Sequence, residues 1–128
     1  MDNIPLVSKE TVTEYTMLYP ILSSLFVEIK ELSKKKQDGL LNEIKVRMTN
    51  RVLEKVKYIL KDDPTNQFLD LLDNDNLPSN SDAVLIIAQY QGAMEQFRKR
   101  HQHYSKGTYY WNFGEDDDED DAELFDDF

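Results

Sequence analysis

Apolar residues recur along most of this chain at the three- and four-residue spacing of a helix face, broken at places rich in Asp, Asn, Gly and Pro. The first stripe is Leu18, Leu22, Leu25, Ile29 and Leu32, which predicts a helix reaching about Lys35. Thr11 and Glu14 have the spacing of a capping box, in which a hydroxyl and a carboxylate each satisfy a free backbone N–H, so the helix is expected to begin near Thr11. Pro20 has no N–H to donate and disfavours helical geometry at Tyr19, predicting either a kink or a main helix that starts at Pro20.

Asp38-Gly39 interrupts the pattern. A second stripe follows, Leu41, Ile44, Met48, Val52, Val56 and Ile59, with Lys45, Arg47, Arg51, Lys55 and Lys57 on the polar side. Asp63-Pro64 has the composition of a cap followed by a first helical residue, and predicts a short helix holding Phe68, Leu69, Leu71 and Leu72. Residues 73–81 read as a loop, and Asn80 or Ser81 can cap the last helix. Its face is Ala83, Ile86, Ile87, Tyr90, Ala93, Met94 and Phe97, with Gly92 in its middle, explained either by a close helix crossing or by indifference.

No segment alternates apolar and polar residues for long, so the expected fold is all-α: a small bundle of three long helices and one short helix, with a disordered acidic C-terminal tail. The expected division is a helical bundle over residues 1–104, an aromatic linker or docking segment over 105–114, and the acidic tail over 115–128.

Charge changes this picture most. The chain has 128 residues and a net charge of −10, with 15 Lys and Arg against 25 Asp and Glu. Ten of those acids lie between Glu115 and Asp127, so residues 1–114 carry 15 acids and 15 bases and are neutral. A block of like charges cannot bury enough apolar surface to offset chain entropy, hence the expectation of disorder.

Leu124, Phe125 and Phe128 stand among Asp126, Asp127 and the other acids at the extreme C-terminus. A purely solvating tail gains nothing from large apolar groups there. They read as anchors for a partner's pocket, with the carboxylates steering toward a basic rim. This ending resembles the acidic C-terminal peptides of bacterial single-stranded-DNA-binding proteins, which end in Phe and dock on replication and repair partners. The resemblance is confined to the last few residues: no Pro precedes Phe128, and the body reads as helices rather than as the OB-fold of those proteins. It implies a protein partner with a basic, apolar-lined site within a nucleic-acid-processing complex.

Two other functions fit the residues. A dense row of carboxylates can occupy a phosphate channel, making the chain an acidic nucleic-acid mimic that inhibits a DNA- or RNA-binding enzyme. Alternatively, Arg98, Lys99, Arg100 and Lys106, followed by Tyr109, Tyr110, Trp111 and Phe113, have the basic and aromatic composition that grips single strands, with the tail folding back as an autoinhibitor. Packing of these aromatics onto the bundle is the structural alternative.

Other chemistry is thin. With no cysteine, disulfides, thiolate metal sites and cysteine nucleophiles are excluded. His101 and His103 point to different sides of a helix, and no third ligand accompanies them. Asp73-Asn74-Asp75-Asn76 opens like a calcium loop, but Leu77-Pro78 stand where a ligand and the turn glycine are needed, so a capping loop is expected. No phosphate loop, nucleophile elbow or zinc-protease pair is present, and the expectation is a protein that is not an enzyme and needs no cofactor or metal. The N-terminus lacks a secretory pattern, and no apolar run approaches the roughly 18 residues of a spanning helix. A soluble, intracellular, cytoplasmic protein is expected, without membrane partners. Self-association through exposed parts of the first two stripes is a further expectation.

Overall fold

The computed structural model describes residues 5–114. Three helices carry the fold: α1, Lys9–Lys35; α2, Glu43–Ile59; and α3, Asn80–His101. A 3₁₀ turn, Pro64–Phe68, lies between α2 and α3, and two strands, β1 (Gln102–Ser105) and β2 (Thr108–Trp111), follow α3 as an antiparallel hairpin. The molecule is mostly helical, but the hairpin corrects the all-α expectation, and the fourth helix is only a 3₁₀ turn. The acidic run and the anchors Leu124, Phe125, Asp126, Asp127 and Phe128 lie outside the described residues.

Each helix starts on a side-chain cap. Ser8, three residues before Thr11, accepts from the Thr11 N–H at 3.1 Å, so α1 begins one turn earlier than the capping box suggested. The helix runs on through Pro20, supported by burial of Val12, Tyr15, Leu18, Leu22 and Ile29 on one face. Asn42 caps α2 and Ser79 caps α3 in the same way. The last stripe is buried as expected, save that Ile86 is half-buried.

The second stripe is rotated. α2 buries Val46, Thr49, Asn50, Leu53, Val56 and Ile59, leaving Ile44 and Met48 exposed. The true face contains a threonine and an asparagine, which diluted its apolar signal. Asn50 earns its place by bonding: its Nδ2 donates to the Leu72 carbonyl and its Oδ1 accepts from the Leu72 N–H, both at 2.9 Å. That two-way clamp ties Leu72 to α2, Leu69 leaves the turn with extended backbone, and both leucines are buried, so the expected short helix stops at Phe68.

Both ends of the bundle are stapled by backbone pairing. At one, the Leu41 N–H donates to the Pro78 carbonyl and the Asn80 N–H to the Gly39 carbonyl. At the other, the Val7 N–H donates to the Asn112 carbonyl and the Asn112 N–H to the His101 carbonyl, at 2.8 and 2.7 Å. Phe113 pairs beside Val7, so the chain reaches Gly114 from a fixed position.

Candidate interaction site

The residues singled out for single-strand binding converge on one end of the molecule, at the C-terminus of α3 and in the hairpin. The two-residue turn Lys106-Gly107 has φ of 49° and 87°, the double left-handed geometry that suits the twist of a tight hairpin. It places Gln102 opposite Trp111, His103 opposite Tyr110, and Tyr104 opposite Tyr109. Cross-strand partners share a face, so Trp111 and Tyr109 point the same way while Tyr110 points the other.

Trp111 is buried against Tyr15, with ring centroids 5.1 Å apart and edge-on, and 6.3 Å from Phe97. Phe113 packs against the same core. These two aromatics therefore belong to the body. Tyr104 and Tyr109 stand exposed at the hairpin tip as an edge-on pair 5.0 Å apart, and Tyr110 is half-buried beside His103.

The basic cluster divides as well. Arg100 donates to Asp63 from two nitrogens, Nη2 lying 2.6 Å from each carboxylate oxygen and Nε 3.2 Å from Oδ1. The Asp63 side chain is only 3% exposed. Burial pushes its carboxyl up, but hydrogen bonds from Arg100 and Thr65 outweigh this and hold it below the usual carboxylate range. Asp63 also caps the 3₁₀ turn through the Thr65 N–H and hydroxyl, so one carboxylate joins that turn to α3. Arg98 pairs with Glu95 at 2.5 Å, one turn back on the same helix. The bond from Arg98 holds the Glu95 carboxyl down, and the bond to Glu95 raises the guanidinium. Lys99 and Lys106 are exposed.

An open cleft of about 670 Å³ lies where the hairpin, α3 and α1 meet, lined by Tyr15, Tyr19, Pro20, Arg98, Tyr109 and Trp111 among others. Pro20 has no N–H, so it cannot close the usual helical bond to the carbonyl of Thr16, another residue at the cleft. Aromatic walls can hold a flat group, but the cleft's cation Arg98 is already paired with Glu95.

His101 Nδ1 donates to the Pro5 carbonyl at 3.0 Å, while His103 Nδ1 lies 2.5 Å from Asn112 Oδ1; the two rings serve opposite sides of the hairpin base. Among the described residues no three His, Asp or Glu side chains gather as metal ligands would. Asp73 accepts from the Asp75 and Asn76 N–H groups, a local turn that holds the loop, and those two bonds keep its carboxyl below the usual range. Among the described residues no helix is long and apolar enough to cross a membrane.

A second surface lies within the second stripe, which the sequence marked only in general terms as a place where apolar positions could stay exposed. The solvent side of α2 presents Ile44, Met48, Arg51, Lys55 and Tyr58 at spacings of four and three, with Arg47 alongside. Ile44 and Met48 are 60% and 58% exposed and, with Leu71 and the flanking Arg47 and Arg51, line a groove of about 430 Å³. The signal was present in the mixed stripe, but assigning Ile44 and Met48 to the core hid it. No protein-family model matches this chain, and neither a curated protein nor a solved structure matches it significantly.

Proposed function

We propose that this chain is a non-enzymatic interaction module, whose helical body presents an acidic, aromatic-ended C-terminal peptide to a protein partner. The peptide's Leu124, Phe125 and Phe128 would enter apolar pockets, while Asp126, Asp127 and the preceding acids face a basic rim. One observation carries this reading: the whole charge imbalance of the chain sits between Glu115 and Asp127, interspersed at its end with large apolar residues. The body supports it by fixing where the peptide starts, through the pairing of Val7 with Asn112 and Phe113. Proteins that handle nucleic acids carry the basic surfaces such a peptide needs, so a nucleic-acid-processing complex is the proposed setting. The test is affinity capture with the full chain and with a variant carrying Leu124→Ala, Phe125→Ala and Phe128→Ala. Loss of specific partners from the variant is expected; an unchanged set of partners sinks the reading.

The hairpin tip supports a second reading, direct single-strand binding. Tyr104 and Tyr109 form an exposed pair beside Lys106, and stacking on such a pair is worth roughly 1–3 kcal/mol per base. A mobility shift on single-stranded DNA that persists in a Tyr104→Ala, Tyr109→Ala variant would remove it.

A further inference from the structure

The body itself carries a basic, apolar-lined groove of the kind the tail is read to seek. On α2, five cations (Lys45, Arg47, Arg51, Lys55 and Lys57) stand against two acids, Glu43 and Glu54. None of those cations forms an ion pair among the described residues, in contrast to Arg98 and Arg100 at the end of α3. Between them Ile44, Met48 and Leu71 leave apolar surface open to water. Glu54, at the groove's edge, opposes an acidic ligand, but Arg47 and Arg51 outnumber it.

We propose that this α2 groove is the docking site of the chain's own residues 124–128; the inference takes from the functional reading only that the tail is a docking peptide. Length and placement favour an intramolecular contact. Phe113 pairs with Val7, and Val7 lines one small cavity with Ile59 and Lys61, so the tail starts at the C-terminal end of α2. α2 has 17 residues, about 25 Å at the rise of a helix. The seven consecutive acids Glu115 to Asp121 span about 23 Å when extended, and their mutual repulsion favours extension. Laid antiparallel to α2, they pass the ridge of Lys55, Arg51 and Arg47. The ten residues from Glu115 to Leu124 reach about 33 Å when extended, more than the length of α2, so Leu124, Phe125 and Phe128 come within reach of Ile44, Met48 and Leu71. The aromatic cleft near Pro20 is as close to the tail's start, but its Arg98 is engaged by Glu95 and offers little net charge.

The chain's lack of cysteine makes the test clean. A nitroxide on Ala122→Cys in the full chain is read by the paramagnetic loss of backbone amide signals. A tethered but undocked tail broadens amides nearest its start, around Val7, Lys61 and Asn112, with the effect fading along α2. Docking reverses that order, and the largest loss is expected at Ile44 to Arg51, unchanged on tenfold dilution. Arg47→Glu with Arg51→Glu, both at exposed positions, should abolish the loss at Ile44 to Arg51 while the remaining body signals stay in place. Fading from the tail's start, a maximum at the hairpin, or loss on dilution each overturns the proposal. Partner capture is read separately, so a tail that captures a partner yet shows no α2 contact defeats this inference and leaves the proposed function standing.

Discussion

Asp63 joins two parts of the molecule through one carboxylate: it caps the 3₁₀ turn through Thr65 and receives Arg100 from α3. Its cap role is readable from Asp63-Pro64 alone; its ion pair is not, because Arg100 is remote in the chain. Replacing Asp63 by Asn keeps a capping oxygen but loses the charge, and should cost about 1.5–3 kcal/mol, the range for a hydrogen bond to a charged group. Because the folded carboxyl titrates below its ordinary value of 3.8, the unfolded chain takes up the proton first as pH falls. The stabilisation is complete above that ordinary value and is lost as pH drops through the lower folded one. Denaturant titrations should therefore show wild type losing stability more steeply than Asp63→Asn below about pH 4. Gly92 behaves differently: a Cβ there would meet nothing within 4 Å, so no close crossing requires the glycine. Gly92→Ala should raise stability by about 0.5–1 kcal/mol, visible as a higher midpoint at an unchanged denaturant slope.

Elements were legible where one apolar face dominated. α1 and α3 have such faces: Leu18, Leu22 and Ile29 are buried as the spacing predicts, with Leu25 and Leu32 half-buried, and the α3 positions are buried except Ile86. α2 does not: its buried side includes Thr49 and Asn50, so the competing stripe through Ile44 and Met48 looked better while facing water. The hairpin was hidden for another reason. Its strands are four residues each, too short for alternation to stand out, and β1 follows directly on the basic end of α3. The signal that could have found it is Lys106-Gly107 flanked by Tyr104 and Tyr109 to Trp111, a two-residue turn between aromatic arms. Trp111 ties that hairpin to Tyr15 and Phe97. Trp111→Ala should destabilise the fold by about 3–5 kcal/mol in chemical denaturation, the usual cost of emptying a buried aromatic site. A loss under 1 kcal/mol would mean the hairpin is not held by this side chain.

At the scale of the whole molecule, charge partition was the most legible property, since it needs only counting. The tail's ten acids account for the net charge of −10. What counting could not reveal is which cations the fold consumes: Arg98 and Arg100 are engaged by Glu95 and Asp63, while those on α2 form no ion pair among the described residues. The proposed docking of the tail should weaken with salt, as exposed charges are screened over about 10 Å at 0.1 M. The most direct measurement is displacement of the full chain from its captured partner by a synthetic peptide of residues 115–128. This peptide should displace the chain, more weakly as salt rises, and the same peptide with Leu124, Phe125 and Phe128 replaced by Ala should not. Retention of the chain at saturating peptide, or equal displacement by the alanine peptide, would contradict the proposed function.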